Sequence, residues 1–279
     1  MKPSRDDLYY LYYNKQLSLS DIGKQYSVTQ GAVLKWFKAL DIPRRSVKES
    51  VSGELNKHRG NQYSRTHSVN VDFFKHWSAD MAWLLGFLCA DGCIEDDRTI
   101  SACQKEIEPL QYMISLLKSD SKIEIKEQNG WSKGKIHRVR IHCKEIIQDL
   151  NEIGIFKQKS LTLKLPDVPM LYFGDFIRGY FDGDGSIYYL KSRSKNPRIS
   201  FIGSSIFIER LEQTLHNLGC SKRQIDYYHS NTPKLVYGAK KDVLLIGNLM
   251  YNNNVNKIIS LTRKRIVYET WVENEKNFN

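Results

Sequence analysis

The sequence contains one nine-residue pattern twice, as Leu84-Leu85-Gly86-Phe87-Leu88-Cys89-Ala90-Asp91-Gly92 and, 93 positions later, as Ile177-Arg178-Gly179-Tyr180-Phe181-Asp182-Gly183-Asp184-Gly185. Each copy is an apolar segment with a glycine at its third position and an Asp-Gly step at its end. Such a segment predicts a buried helix that ends at the aspartate. A single copy is more typical of an ordinary helix end before a turn, so the repetition is what indicates a function.

The two glycines predict that the two helices pack against each other. Gly86 and Gly179 have no Cβ atom, so another helix can approach them closely. This packing would bring Asp91 and Asp184 together, where two carboxylates repel each other unless a cation or a proton is bound. Hard oxygen ligands favour Mg²⁺, which can activate water and orient a phosphate. We therefore expect a phosphodiesterase site shared by two halves of the chain.

The segments after the two copies also match each other. A strand-like stretch with an Ile-Ser pair follows each copy, at Ile100-Ser101 and at Ile199-Ser200. Apolar spacing predicts helices at 108–117 and 144–153 in the first half, and at 206–218 and 243–251 in the second. An Asn129-Gly130 step predicts a hairpin turn. We expect a mixed α/β (α+β) fold, in which each half has a four-stranded antiparallel sheet covered by helices on one face.

The repeated pattern resembles the motif of the LAGLIDADG homing endonucleases, in the single-chain form that has two copies. The resemblance covers residues 73–270 and implies two pseudo-symmetric αββαββα half-domains that form a DNA-binding β-saddle. It implies a monomer that recognises a long, asymmetric site in double-stranded DNA, bends it, and cuts both strands across the minor groove with short 3′ overhangs. Mg²⁺ is the implied cofactor, and Mn²⁺ is expected to substitute for it.

The resemblance also implies the residues of the active site. The expected metal ligands are Asp91 and Asp184, adjacent to Gly92 and Gly185, with the backbone carbonyls of Ala90 and Gly183 as further candidates. The family often places a glutamine on a strand near the site to position water, and Gln104 matches that place. Its counterpart in the second half is Gly203 or Ser204, so the two halves differ there.

A basic residue near the attacking water is also implied by the resemblance. Lys157 and Lys257 match its place, although an ordinary surface position would explain both lysines equally well. Asp182 is not counted as catalytic, because the first copy has Cys89 at the same position of the pattern.

Base recognition is expected from the uncovered sheet faces. Alternate residues of a strand share a face, so Arg138 and Arg140 are expected to point the same way. In the second half the candidates are Tyr188, Arg198 and Ser200, in the strands after the second copy. Arginine can read guanine in the major groove or contact phosphate alone, and a register shift of one residue would exchange the two faces.

A separate helical module is predicted at residues 1–46. Residues 19–26 and 30–40 predict two short helices, the first opened by a Ser/Asp cap, with a turn at Ser27-Val28-Thr29 between them. This stretch resembles the resolvase-like helix-turn-helix modules, in which the second helix enters the major groove. The resemblance implies that Thr29, Gln30 and Lys35 contact DNA. A small helical hairpin that mediates protein contacts is the alternative.

Composition agrees with a nucleic-acid partner. The chain has 42 Lys+Arg against 31 Asp+Glu, and its net charge of +11 favours association with polyanionic DNA. Residues 47–72 are polar and basic, which is typical of a linker, so the half-domains are expected at 73–165 and 166–279. Five cysteines without a CxxC pair indicate reduced thiols. With no signal peptide or transmembrane pattern, we expect a cytoplasmic, nucleoid-associated protein without a membrane partner.

Two other functions fit the same fold. One is a DNA-binding transcription regulator that keeps the duplicated fold but does not cleave, and relatives of that kind typically lack the carboxylates present here as Asp91 and Asp184. The other is an RNA-splicing maturase. An intein is not expected, because the two ends of the chain lack the residues of splicing junctions.

Overall fold

The computed structural model describes residues 3–45, 68–128, 134–190, 195–228, 232–252 and 259–277. Contacts within the chain divide it into two compact units, Met1–Thr66 and His67–Asn279. Most of the linker predicted at 47–72 lies outside the described residues, as do the predicted turn at Asn129-Gly130 and the candidate Lys257.

The N-terminal unit consists of short helices around a small core. Helix α1 (Arg5–Tyr9) continues as a π-helical turn (Tyr10–Asn14), and α2 (Leu19–Gln25) and α3 (Gln30–Ala39) follow. The Ser18 hydroxyl accepts a hydrogen bond from the Asp21 N–H, and the Asp21 carboxylate accepts one from the Ser18 N–H. This capping box begins α2. The core side chains are Leu8, Tyr12, Leu19, Ile22, Val33, Phe37 and Ile42.

The first half of the larger unit has the order helix, two strands, helix, two strands, helix. Its elements are α4 (Ala79–Asp91), β1 (Gly92–Ile94), β2 (Thr99–Gln104), α5 (Glu108–Leu116), β3 (Glu124–Gln128), β4 (Gly134–His142) and α6 (Lys144–Ile153). The strands form one antiparallel sheet of order β1-β2-β4-β3. A segment with two short 3₁₀ turns, Lys159–Leu161 and Met170–Tyr172, leads to the second half.

The second half repeats this order and adds a final helix. Its elements are α7 (Phe173–Asp184), β5 (Gly185–Tyr188), β6 (Arg198–Ile202), α8 (Ser205–Asn217), β7 (Asp226–Tyr228), β8 (Thr232–Tyr237), α9 (Lys240–Tyr251) and α10 (Thr262–Asn277). The sheet order is β5-β6-β8-β7, again antiparallel. The predicted α/β fold of two four-stranded half-domains is therefore confirmed.

Side chains that belong to the hydrophobic core alternate along the strands, and this alternation separates the two faces of each sheet. The core residues are Ile100, Ala102, Val139 and Ile141 in the first sheet, and Ile199, Phe201, Leu235 and Tyr237 in the second. Side chains between these positions point to the opposite face, here called the open face. Within the described residues, no helix combines the length and the apolar character that crossing a membrane requires.

Candidate active site

Helices α4 and α7, formed by the repeated pattern, pack with their backbones in close contact. A Cβ atom added to Gly86 would lie 2.0 Å from the carbonyl oxygen of Phe176, and one added to Gly179 would lie 1.9 Å from that of Trp83. Gly86 therefore faces Phe176, three residues before Gly179, and Gly179 faces Trp83, three residues before Gly86. The contact between the two helices is reciprocal. Because the opposing atoms are backbone, a side chain at either glycine would force the helices apart.

Asp91 and Asp184 are the last residues of the two packed helices. Asp91 Oδ2 lies 2.7 Å from the place that a Cβ on Gly183, the residue before Asp184, would occupy. Burial raises the pKa of Asp91 to about 7, and the negative charge of Asp184 adds to this rise. Burial also raises the pKa of Asp184. The helix contact thus brings two carboxylates into one partly buried site that favours a bound proton or cation.

Gln104, the last residue of β2, contacts this site directly. Its Nε2 donates a hydrogen bond to Asp91 Oδ2, and this bond opposes the effect of burial on the pKa of Asp91. In the sheet registers, Gly92 pairs with Ala102, and Gly185 pairs with Phe201. Gln104 therefore corresponds to Gly203, which has no side chain to offer to Asp184. The sequence alone leaves Gly203 and Ser204 as possible counterparts of Gln104, and the strand register identifies Gly203.

Two buried lysines lie at the ends of the packed helices. Lys159 Nζ is 3.5 Å from the Ala90 carbonyl oxygen at the end of α4. The three N–H groups of Lys264 Nζ are shared among four carbonyl oxygens around the end of α7, at N···O distances of 2.6 to 3.3 Å. These belong to Phe181, Asp182, Gly183 and Gly185. Burial lowers the pKa of Lys159, and it lowers that of Lys264 to about 8. The charges of both lysines oppose the rise in pKa of the two aspartates.

These lysines differ from the two predicted by resemblance. Lys157 is exposed, and the side chain that turns inward is Lys159, two residues later. The reason is local: Gln158 has a left-handed backbone with φ of 59°, and the 3₁₀ turn that starts at Lys159 follows it. Lys257 lies outside the described residues. Sequence reasoning missed Lys264 because it stands between two arginines, a pattern typical of a solvated surface.

Asp182 links the two helices from inside their contact. It is fully buried, and its Oδ2 accepts a hydrogen bond from Trp83 Nε1 at 2.9 Å. Burial raises the pKa of Asp182 to about 6, although the bond from Trp83 opposes the rise. In the first copy of the pattern, Cys89 holds the position of Asp182. Helix α4 therefore has no carboxylate there to accept an equivalent hydrogen bond from α7.

The donor atoms at the two helix ends suit a hard divalent cation. Asp91 and Asp184 supply carboxylate oxygens, while the carbonyls of Ala90 and Gly183 already face lysine Nζ atoms at 3.5 and 3.3 Å. In the described parts of the chain, no cluster of three or more His, Cys, Asp or Glu side chains could hold a metal. A cation at this site would therefore depend on the two carboxylates, with further ligands from backbone, water or substrate.

Comparison with known proteins supports a duplicated α/β fold of this kind. No protein-family model matches the chain. A probable translation initiation factor IF-2 from Methanocaldococcus jannaschii is 26% identical over 212 residues, which cover 69% of this chain and 17% of that protein. The homing endonuclease I-WcaI, bound to its DNA recognition sequence, is similar with a TM-score of 0.50 and 16% identity, over 70% of this chain and 90% of that one. The chain has the LAGLIDADG fold.

A second solved structure is similar at the same level of identity. Full-length DUF199/WhiA from Thermatoga maritima has a TM-score of 0.47 and 16% identity, over 74% of this chain and 65% of that one. Identities this low describe the fold of the chain and not its activity.

The five sheet residues predicted to contact DNA all lie on the open faces of the LAGLIDADG sheets, but one of them is buried. Arg138 and Arg140 lie on either side of the buried Val139 on β4 and so share the open face of the first sheet. Tyr188 and Arg198 pair with each other on the open face of the second sheet. Ser200 is on the same face but only 2% exposed. Strand alternation predicts its face correctly but cannot predict that neighbouring side chains cover it.

In the N-terminal unit, the three predicted contact residues lie at the start of α3 and along it. Thr29 is the N-cap residue, and its hydroxyl accepts a hydrogen bond from the Ala32 N–H at 3.3 Å. Gln30 and Lys35 are exposed, whereas Val33 and Phe37 on the other side of α3 are buried. A short turn connects α2 to α3, and the two helices pack on each other.

Proposed function

We propose that this protein is a site-specific homing endonuclease that hydrolyses phosphodiester bonds in both strands of double-stranded DNA with the help of a divalent cation. One observation carries the proposal: the reciprocal glycine contact brings Asp91 and Asp184 together at the ends of two packed helices. A carboxylate pair that takes up a proton near neutral pH is poorly suited to a structural role, but it is suited to a cation.

Each group of the site has a role in this proposal. Asp91 and Asp184 would hold the cation, with Mg²⁺ expected and Mn²⁺ able to substitute. A cation bound there would lower the pKa of water and stabilise negative charge on the phosphate. Gln104 keeps one oxygen of Asp91 in place and would position water. Lys159, rather than the exposed Lys157, and Lys264 would provide the positive charge near the reacting phosphate, while Lys257 stays a candidate outside the described residues.

The open sheet faces would contact the duplex, with Arg138 and Arg140 in the first half and Tyr188 and Arg198 in the second. Because the two halves differ in sequence, the target would be long and asymmetric, and one monomer would cover it. Cutting across the minor groove with short 3′ overhangs is the outcome that the resemblance implies.

The N-terminal unit would act as a DNA-binding helix-turn-helix that extends the target site. Its exposed residues Thr29, Gln30 and Lys35 lie at the positions from which the second helix of such modules contacts the major groove. Binding of the protein's own control region is the alternative role of this unit, and a truncation that starts after residue 66 would separate that role from target recognition.

The test is cleavage of a randomised duplex library by the full chain, with Mg²⁺ and with a chelator. Wild type would be compared with Asp91→Asn and Asp184→Asn, and with Asp97→Asn as the control, because Asp97 is an exposed loop residue with 71% of its side chain accessible. We expect cleavage by wild type and the control in Mg²⁺, and loss of cleavage with retained binding in the two active-site variants.

Three outcomes would overturn the proposal. Cleavage that persists in both active-site variants would mean that the paired carboxylates are not the catalytic site. Tight binding of one sequence without any cleavage, in Mg²⁺ and in Mn²⁺, would replace the nuclease with the DNA-binding regulator, and preferential binding of folded RNA would favour the maturase.

A further inference from the structure

Two ion pairs connect different strands on the open face of the first sheet. Arg140 Nη2 on β4 donates to both carboxylate oxygens of Glu124 on β3, at 2.8 and 3.1 Å. Arg138 Nη2, two residues earlier on β4, donates to Glu95, just after β1. The side chains of Arg140 and Glu124 are 39% and 46% exposed, and those of Arg138 and Glu95 are 18% and 27% exposed. Both pairs are therefore within reach of a partner on this face.

The register shows that these side chains share one face. Glu124 is directly opposite Arg138 in the β3–β4 pairing, and directly opposed residues point to the same side. Val139, between the two arginines, is fully buried in the core. The arginines and Glu124 therefore stand on the side away from the helices.

An arginine that is already paired with a carboxylate is poorly suited to bind phosphate. The pair is neutral as a whole, so it gains little from the counterion release that drives phosphate binding, and the carboxylate repels the phosphate. A G·C base pair has the opposite character. In the major groove, guanine O6 and N7 accept hydrogen bonds while the cytosine N4 amino group beside them donates one.

We propose that the Arg140–Glu124 and Arg138–Glu95 pairs read G·C base pairs in the half of the target that lies on the first sheet. The arginine would donate to guanine, and the carboxylate would accept from cytosine or hold the arginine in place. This inference rests on the proposed function only in requiring that duplex DNA binds to the open faces. It does not require that the DNA is cleaved.

The pairing also prepares Arg140 for this role. Both contacts to Glu124 use the Nη2 group, so Arg140 can keep them while its other N–H groups face a base. A side chain held before binding loses less conformational entropy when the complex forms. The hydrogen bond from Arg140 lowers the pKa of Glu124, which stays ionised and able to accept at neutral pH.

The second sheet presents different chemistry on its open face. Lys234 Nζ lies 5.4 Å from the centre of the Tyr188 ring, Ser200 is buried, and Ile202 is 38% exposed. Arg198 lies on this face beside Tyr188 but forms no ion pair with a described residue, in contrast to Arg138 and Arg140. Reading of a G·C pair by an arginine and a carboxylate together should therefore fall in one half of the target, under the first sheet.

The experiment is a binding selection from a randomised duplex library with the full chain in a chelator, so that cleavage plays no part. The variants are Arg140→Gln and Glu124→Gln, and the control is Arg210→Gln, because Arg210 is an exposed arginine on α8. We expect Arg140→Gln to reduce the preference for guanine at one position by about 5- to 150-fold. Glu124→Gln should weaken the preference for the same G·C pair, and Arg210→Gln should change no position.

Other outcomes would overturn the inference in distinguishable ways. If Arg140→Gln weakens the binding of all sequences equally and lowers the salt dependence of DNA binding by about one phosphate contact, then Arg140 contacts the phosphate backbone of the DNA and does not read a base. If Glu124→Gln leaves the selected sequences unchanged, the carboxylate takes no part in reading. If no duplex is bound, both this inference and the proposed function are wrong. If the selected duplex has the expected G·C pairs but is never cut, this inference stands and only the proposed nuclease activity is wrong.

Discussion

Replacing Gly179 with alanine should separate the two packed helices and lower both the stability of the fold and, in the proposed nuclease, the rate of cleavage. The added Cβ would stand 1.9 Å from the Trp83 carbonyl oxygen, and real Cβ contacts are essentially never below 3.0 Å. The helices must therefore move apart by about 1.1 Å at this point. The obstacle is backbone, so no side-chain rotation can relieve it.

The magnitude follows from two opposing effects. Overpacking in a core costs about 1–3 kcal/mol, and a rigid backbone obstacle places this case at the upper end. Alanine in a helix interior recovers about 1 kcal/mol relative to glycine. We expect a net loss of about 2 kcal/mol in the free energy of unfolding. Because Asp91 and Asp184 end the two helices, a shift of about 1 Å should also lower the cleavage rate by roughly 100-fold.

The assay is urea denaturation together with single-turnover cleavage of the selected target. Gly86→Ala should behave like Gly179→Ala, since its Cβ would stand 2.0 Å from the Phe176 carbonyl oxygen. Gly134→Ala is the control, because a Cβ there meets no atom within 4 Å. Wild-type stability and wild-type cleavage in both helix variants would refute the close backbone contact and, with it, the argument that this contact assembles the site.

Three further predictions concern groups around the carboxylates. Because burial raises the pKa of Asp182 to about 6, stability should fall as the pH rises from about 4 to 6, and Asp182→Asn should reduce this slope in denaturation measured with a chelator, leaving the part that comes from Asp91 and Asp184. Gln104→Ala removes a bond that lowers the pKa of Asp91, so the pH profile of cleavage should shift to higher pH. Lys264→Met removes the hydrogen bonds that Lys264 donates to the carbonyl oxygens at the end of α7 and should cost about 3 kcal/mol or more in denaturation, whereas exposed Lys157→Met should change stability by less than about 0.5 kcal/mol.

Each of these predictions can fail separately. An unchanged pH slope in Asp182→Asn would mean that another group takes up the proton between pH 4 and 6. A Gln104→Ala profile identical to that of wild type would mean that the hydrogen bond from Gln104 to Asp91 does not form when the proposed nuclease cleaves DNA. Equal stability of Lys264→Met and Lys157→Met would contradict the burial of Lys264.

The architecture was predictable because its main constraint is visible in the sequence. A backbone contact between two helices admits only glycine, so Gly86 and Gly179 mark it at the same place in each copy. Apolar spacing predicts the helix at 144–153 with the bounds that the structure has. It misses the first turn of α9, which begins at Lys240 instead of residue 243, because that turn is polar. Its Asp242 is nevertheless buried, where it accepts hydrogen bonds from the Ser221 backbone N–H and hydroxyl.

The surroundings of the carboxylates were less predictable, because charge in a sequence does not reveal burial. Lys264 lies in a run of basic residues, and only the packing of α10 on the end of α7 places it inside the protein. Lys159 depends on a left-handed residue before it, a conformation that a glutamine does not signal. Ser200 shows the limit of strand alternation, which assigns a face but not exposure.

The two halves of the site have kept the same backbone contact but not the same side chains around it. Gln104 supports Asp91, while Gly203 at the corresponding position offers nothing to Asp184. The reciprocal glycines cannot change without moving the helices, whereas a side chain beside one carboxylate can change without affecting the other. If the chain is a nuclease, the groups that support hydrolysis of the two strands are therefore unequal. A nicked duplex should accumulate before the double-strand break, and end-labelling each strand separately would measure the two rates. Equal rates would mean that the difference between Gln104 and Gly203 has no effect on the reaction.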